Sequence, residues 1–455
     1  MPSSADAATT ILPHSRRPAA LIVAMTAAGF ALTVRIFYPG VMNYDSRYIH
    51  EYAMHGQYGD WQSPAMMAMW ALINPLDPGA GSMFLLIASV YWLAIAVLAL
   101  TIARGSVWRA VVLVLLTLSP PAFLFVGMIW RDVLFAGLWL AAAALALAVS
   151  EHPAKMRVPV QALAVGLLAL GFLLRPNAIA AAPILGTLLL WPAQFSWKRA
   201  VVIFVPVAVA LFAFVHIVFY GVLGATRENP LHSILVYDLG GITHFTKQNQ
   251  FPVSWNARET TLLTERCYEP VEWNVYWTSK PCQFVMERLE VEKIFGSPTL
   301  VSAWWRAVTA HPLAYLQHRA AFMWNFLAGT NQTIWIQDLD DPSRTVFSDR
   351  PVFAALAAVN NLLVATPLLR AGTWLVLCTA VCAFGWRRRD TPAGAFAVGV
   401  GGSAMVYMLT FAVLGVASDF RYAYWAVLAG LAGAVVIWPA SRAGRRLLPA
   451  AHRPS

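Results

Sequence analysis

Residues 82–103 read SMFLLIASVYWLAIAVLALTIA. No side chain in this run is charged, and its length matches the roughly 20 apolar residues that a helix needs to cross a bilayer. Its apolar residues are continuous rather than alternating, which is the pattern of a membrane helix and not of a barrel strand. Comparable runs recur at about 18–38, 108–129, 133–150, 158–174, 177–192, 200–222, 368–386, 393–416 and 422–439. The composition agrees. Hydrophobic residues make up 59% and charged residues 12% of the 455, and mean hydropathy is +0.60, whereas a soluble chain carries about 25% charged residues. Only helices or closed barrels satisfy their backbone in lipid. The expected fold is therefore an all-α polytopic membrane protein, with about ten transmembrane helices, juxtamembrane helices and an extracytoplasmic cap loop.

Working outward from 82–103, the connectors set the orientation. Arg104 and Arg109 follow it directly. Arg16/Arg17, Lys155/Arg157, Lys198/Arg199, Arg387/Arg388/Arg389 and Arg442/Arg445/Arg446 fall on the same side when the spans alternate. Positive connectors mark the cytoplasm, so both termini are expected there, in a multi-pass protein of a bacterial inner (plasma) membrane. This also accounts for the net charge of +10 without nucleic acid, for which there is no motif. Arg16 and Arg17 ahead of 18–38 imitate the start of a signal peptide. The apolar part is too long for one, so an uncleaved first helix is expected.

The chain divides into an N-terminal transmembrane module, residues 1–222, whose first outer loop is 39–81; a large extracytoplasmic loop, 223–367; and a C-terminal transmembrane module, 368–455. Within the large loop, Pro298–Leu327 is amphipathic, and Trp304, Trp305, Tyr315, Phe322 and Trp324 suit a helix in the headgroup layer. Residues 352–367 are apolar and expected to be juxtamembrane. Cys378 and Cys382 lie in an apolar span and read as small core residues rather than metal ligands. Cys267 and Cys282 lie in the large loop, where a location outside the cytoplasm permits a disulfide.

Charged residues at span ends are costly unless they pair or work. The alternation brings several to the outer face: Asp45 after the first span, Arg131 and Asp132 between the third and fourth, Arg175 between the fifth and sixth, and Asp419 and Arg421 between the ninth and tenth. Each has an ordinary reading. Asp45 suits a helix N-cap and Asp60 a turn. Arg131 and Asp132 suit a local salt bridge, Arg175 a snorkelling anchor, and Arg421 a partner for Asp419. Together they form a cluster of guanidiniums, which hold phosphate, and carboxylates, which take a proton from a hydroxyl. An anionic, lipid-linked substrate fits such a cluster.

The order of these features resembles the GT-C superfamily of membrane glycosyltransferases, and most closely the branch of protein O-mannosyltransferases and lipid A aminoarabinose transferases. The resemblance rests on Asp45-Ser46 after the first span, then RYIHEYAMHGQY, Gly59-Asp60-Trp61, and Gln62-Ser63-Pro64 entering AMMAMWALI. Further along it rests on SPPAFLF before Arg131-Asp132, on LLRPNA, and on HPLAYLQHR. It implies a polyprenyl-phosphate-linked sugar donor, a glycan, lipid or protein acceptor, and an active site on the outer face among membrane lipids. It implies Asp45 and Asp132 as catalytic acids, with Arg131, Arg175, Arg421, Asp60 and Asp419 binding substrate. The second acid of the family's pair is Ser46 here. No metal site or other cofactor is expected, although a divalent metal is compatible with such chemistry. The rival readings are a polysaccharide polymerase or ligase, a lipid or solute transporter, and a structural subunit.

Overall fold

The computed structural model describes residues 16–278, 280–329 and 351–439. The connector Arg442/Arg445/Arg446 and part of the large loop lie outside the described residues. Among the described residues the chain is helical, with no strand beyond three isolated bridges.

Among the described residues seven helices, or eight if a bent pair counts as one span, are long and apolar enough to cross a membrane; the seven are Arg17–Phe37, Ala80–Ala103, Arg131–Ala148, Ala154–Leu174, Trp197–Val222, Pro392–Leu414 and Phe420–Ile437. Three of the ten expected runs are not single long helices. The run at 108–129 is a bent pair, Val107–Thr117 and Pro120–Gly127, meeting at 64°. Pro120 makes the break, because it brings no N–H and drives Ser119 out of helical geometry, to φ −64° and ψ 146°. The run at 177–192 is a 3-10 turn, Pro176–Ala180, followed by the nine-residue helix Ala182–Leu190. The run at 368–386 holds the 16-residue helix Ala371–Trp386. Within the first outer loop, AMMAMWALI forms an apolar helix entered at Pro64. Ser63 caps Pro64–Ile73, which buries Met66, Met67 and Trp70.

The bundle has a centre and a rim. Arg131–Ala148 and Phe420–Ile437 are 78% buried, whereas Trp197–Val222 is 6% buried and turns Val202, Val205, Val209 and Phe212 outward. Small residues allow close approach in the centre. A Cβ on Gly401 would lie 2.8 Å from the Cys378 carbonyl, and one on Gly433 would lie 2.4 Å from Val381 Cγ1. Cys378 is itself buried and points its thiol at the Ala426 carbonyl, 3.2 Å away.

Basic connectors meet at one end of the bundle. Arg104 reaches the Ala148 carbonyl at 3.4 Å, Arg109 donates to Val435 and Val436, and the Phe195 amide donates to Arg389 O at 2.7 Å. The loops at the other end are stitched to one another. Val41 bridges to Met128, Gly59 to Thr226, and Glu272 to Ala417.

The described part of 223–329 is a helical segment, called the cap below, that meets the loops of that second end at Gly59–Thr226 and Glu272–Ala417. Asp238, fully buried on helix His232–Thr246, holds it together. It accepts from Trp304 Nε1 at 2.7 Å and pairs with Arg319 at 2.7 Å, and His318 Nε2 lies 3.3 Å from it. A carboxylate removed from water needs this many partners. Arg319 also donates to Gly415 O at 2.6 Å, which joins the cap to the loop ahead of Asp419. Cys267 and Cys282 are bonded to each other, closing the segment between them. The amphipathic stretch splits at His311 into helices Pro298–Ala310 and Pro312–Ala328. Trp305 and Trp324 are exposed, but Trp304 turns inward to Asp238 and Phe322 is buried.

Candidate functional site

The site is built from four loops at the stitched end. The first follows helix Arg16–Phe37. Val41 exchanges backbone hydrogen bonds with Gly127 and Ile129, at 2.9 and 3.0 Å. Asn43 then caps helix Tyr44–Met54 by accepting from the Ser46 amide at 3.1 Å. The cap is therefore Asn43 and not Asp45, which the pattern had suited to that role. Asp45 stands one residue inside the helix, so its carboxylate faces outward from the cap and sits where the helix dipole favours an anion. Ser46, which occupies the second acidic position of the resemblance, is buried and donates to the Ile129 carbonyl at 2.5 Å. It fastens the first loop to the segment that leads into Arg131.

Asp45 receives two side chains. Arg421 Nη1 donates to its Oδ2 at 2.5 Å, and Gln62 Nε2 donates to its Oδ1 at 2.9 Å. Gln62 is held in turn by its neighbour. Ser63 Oγ donates to the Leu173 carbonyl at 3.0 Å, tying this loop to the end of helix Ala154–Leu174. Arg175 caps that end, where Pro176 stops the helix. Arg175 forms an ion pair with Asp132, and both are buried. The local Arg131–Asp132 salt bridge is thus replaced by one across 43 residues of chain. Burial of Arg175 also excludes the snorkelling reading.

Arg421 is shared. Its Nε lies 3.0 Å from Asp419 Oδ2, and its amide donates to Asp419 Oδ1 at 3.0 Å, so the DFR turn folds around one guanidinium. Two rings sandwich the cations. Arg421 lies over Trp130 at 5.1 Å and over Tyr422 at 5.2 Å, and Arg175 lies over Tyr422 at 4.9 Å. Arg131 completes the group. It sits close enough to Asp45, Asp132 and Arg175 to feel their charges, yet among the described residues it has no hydrogen bond or ion pair. Nearby, Trp130 Nε1, Arg175 Nε and Gln62 Oε1 are buried without a hydrogen-bond partner among the described residues.

Six of the seven expected charged residues therefore converge: Asp45, Arg131, Asp132, Arg175, Asp419 and Arg421. Three carboxylates face three guanidiniums. The two acids outside the spans respond differently. Burial raises the carboxyl of Asp45, but Arg421, Arg131 and Arg175 outweigh it and hold the group below the ordinary carboxylate value. Burial raises that of Asp419, and Asp132 and Asp45 add to this against Arg421. Asp45 is thus the better ionised of the two.

Asp60 is not joined to this cluster by any contact among the described residues. Its carboxylate accepts from Tyr220 at 2.7 Å and from the Glu228 amide at 2.6 Å. Glu228, which no motif indicated, is the centre of a second network. It accepts from Tyr48 at 2.5 Å, Tyr52 at 3.2 Å and the Trp61 amide at 2.8 Å. This pins both ends of the Asp45 loop to the chain leaving helix Trp197–Val222. Glu228 follows an apolar span as closely as Asp45 does, and the rule that selected Asp45 applies equally to it.

No three His, Cys, Asp or Glu side chains gather as a metal-ligand set among the described residues. Asp45 and Asp419 lie on the same guanidinium, and Asp132 is paired with Arg175. Compared with protein-family models, with curated proteins and with solved structures, the chain gives no match.

Proposed function

We propose that the protein is an integral membrane glycosyltransferase that moves a sugar from a polyprenyl-phosphate carrier to an acceptor at the outer face of a bacterial inner membrane. The observation that carries this reading is the convergence of Asp45, Asp132, Arg175 and Arg421, from four distant loops, at one end of an apolar bundle. A partly buried, charge-balanced cluster at the end of apolar helices is costly to assemble, and its chemistry suits an anionic leaving group beside a base.

In this reading the acceptor oxygen attacks the anomeric carbon. Its proton passes to Asp45, and the bond from that carbon to the phosphate oxygen breaks with its electron pair on the phosphate. A single displacement inverts the anomeric centre. Arg131, whose side chain is bound to no partner among the described residues, receives the phosphate first. Arg421 follows, and as it turns toward phosphate its hold on Asp45 weakens. The base then gains proton affinity when the donor is bound. Arg175 keeps Asp132 in place and adds positive potential as charge builds on the leaving group.

The test is reconstitution of the purified protein in liposomes with labelled polyprenyl-phosphate hexose or pentose donors and glycolipid, glycan and peptide acceptors. Transfer with inversion is expected. Retention of configuration contradicts Asp45 as base in a single displacement, and absence of transfer from every donor contradicts the transferase.

A further inference from the structure

Three tryptophans meet beside the cluster. Trp61, from the Asp45 loop, lies 5.8 Å from Trp273 and 6.5 Å from Trp277, and these two stack at 5.9 Å with 17° between their planes. Trp273 is buried and anchors the group, whereas Trp277 is 37% exposed and Trp61 is half-buried. The position is fixed from both sides. The residue after Trp61 is Gln62, which donates to Asp45. The Trp273 amide donates to Val416 O at 2.8 Å, and the Ser418 amide donates to Val271 O at 2.8 Å, directly ahead of Asp419. Polar groups edge the rings. Asn274 Nδ2 donates to Glu272 Oε2 at 2.9 Å, and Trp277 Nε1 approaches Asn274 Oδ1 at 3.3 Å.

We infer that this platform is the acceptor subsite and that the acceptor it takes is a carbohydrate, stacked on Trp277 and Trp61 and hydrogen-bonded through its hydroxyls to Glu272 and Asn274. A pyranose offers a C–H face with positive edges to the negative face of an indole, and its ring hydroxyls need acceptors and donors at the rim. An exposed indole with a carboxylate and an amide at its edge supplies both. A prenyl chain would have no use for Glu272, and such a chain is served by the apolar rim of the bundle. Glu272 also lies within electrostatic reach of Asp419. Burial raises its carboxyl, and Glu269 and Asp419 contribute to that rise. A sugar seated here would rest on the two loops that carry Gln62, a partner of Asp45, and Asp419, a partner of Arg421. This inference rests on the transferase reading, and it adds the class of acceptor.

The test is binding by the full chain in nanodiscs, read by tryptophan fluorescence, with cellotetraose and mannotetraose as saccharide probes and farnesyl phosphate as the apolar probe. At least one tetrasaccharide is expected to bind, and Trp277→Ala to weaken it about tenfold while farnesyl phosphate binding stays unchanged. Trp305→Ala, on a separate exposed helix, is expected to change neither. Asn274→Ala gives a second reading that leaves the indoles in place, and it should weaken the same tetrasaccharide. The inference is overturned if neither tetrasaccharide binds, if Trp277→Ala leaves saccharide binding intact, or if it weakens farnesyl phosphate instead. Saccharide binding without any sugar transfer would keep the subsite and remove the transferase. Transfer that ignores Trp277 would do the reverse.

Discussion

Arg421 serves two carboxylates, Asp45 and Asp419, and this makes an unequal double-mutant cycle. Asp45→Asn removes one of its two charges, and Arg421 keeps Asp419. Arg421→Gln leaves both Asp45 and Asp419 without their counterion. The side chains are 14% exposed for Arg421, 24% for Asp45 and 25% for Asp419, so the pair is neither a surface bridge, worth about 0–1 kcal/mol, nor fully dry. A charged hydrogen bond of 2.5 Å in this setting is expected to couple the two sites by about 1.5–3 kcal/mol. Arg421→Gln alone should approach about 3 kcal/mol, the lower end for stranding a buried charge, and Asp45→Asn should cost less. The assay is denaturation in mixed detergent micelles for the parent, each single variant and the double. Acid provides an internal control. The Asp45 carboxyl is held below its unfolded value, so its stabilisation is present above the unfolded value of about 3.9 and is lost as pH falls through the lower native one. The parent should therefore lose its advantage over Asp45→Asn only below about pH 4. A coupling under about 0.5 kcal/mol, or an Asp45→Asn cost above that of Arg421→Gln, would refute the shared pairing.

Three further outcomes follow from the same geometry. Asp60→Ala removes the acceptor for Tyr220 and the Glu228 amide; stability should fall by about 1–3 kcal/mol while the acid limb of the activity profile stays where it is, because Asp60 holds the loop and not the reacting atoms. Replacing Cys267 and Cys282 together by Ser opens a loop with a sequence separation of 15; the cap should lose about 3 kcal/mol, read as faster proteolysis between the two positions. Asp238→Asn leaves Arg319 without its carboxylate in a fully buried setting, and should cost about 3–5 kcal/mol, measured by the same micellar denaturation.

Much of the bundle was legible because length and continuity of apolar runs are local properties. The expected runs at 82–103, 133–150, 158–174 and 393–416 coincide with long helices to within a few residues. The bend at Pro120 and the short helix Ala182–Leu190 were hidden for a related reason: apolar content persists through a break, and only backbone geometry records it. The gathering of charged span ends was legible from alternation alone. Their pairing was not. Asp132 meets Arg175 rather than its neighbour Arg131, and Asp45 meets Arg421 across 376 residues of chain, because loop-to-loop stitching by Val41, Ser46 and Ser63 decides which side chains face each other. No periodicity carries that information. The capping role of Asn43 was one residue-level choice that propensity left open, since Asn and Asp cap equally well.

In the proposed reaction Asp45 takes the acceptor's proton. The most direct measurement is the rate of sugar transfer from a polyprenyl-phosphate donor by Asp45→Asn, in liposomes, with donor binding measured in parallel. Turnover should fall about a hundredfold or more, with donor binding retained through Arg131 and Arg175. Turnover near that of the parent would contradict this role of Asp45.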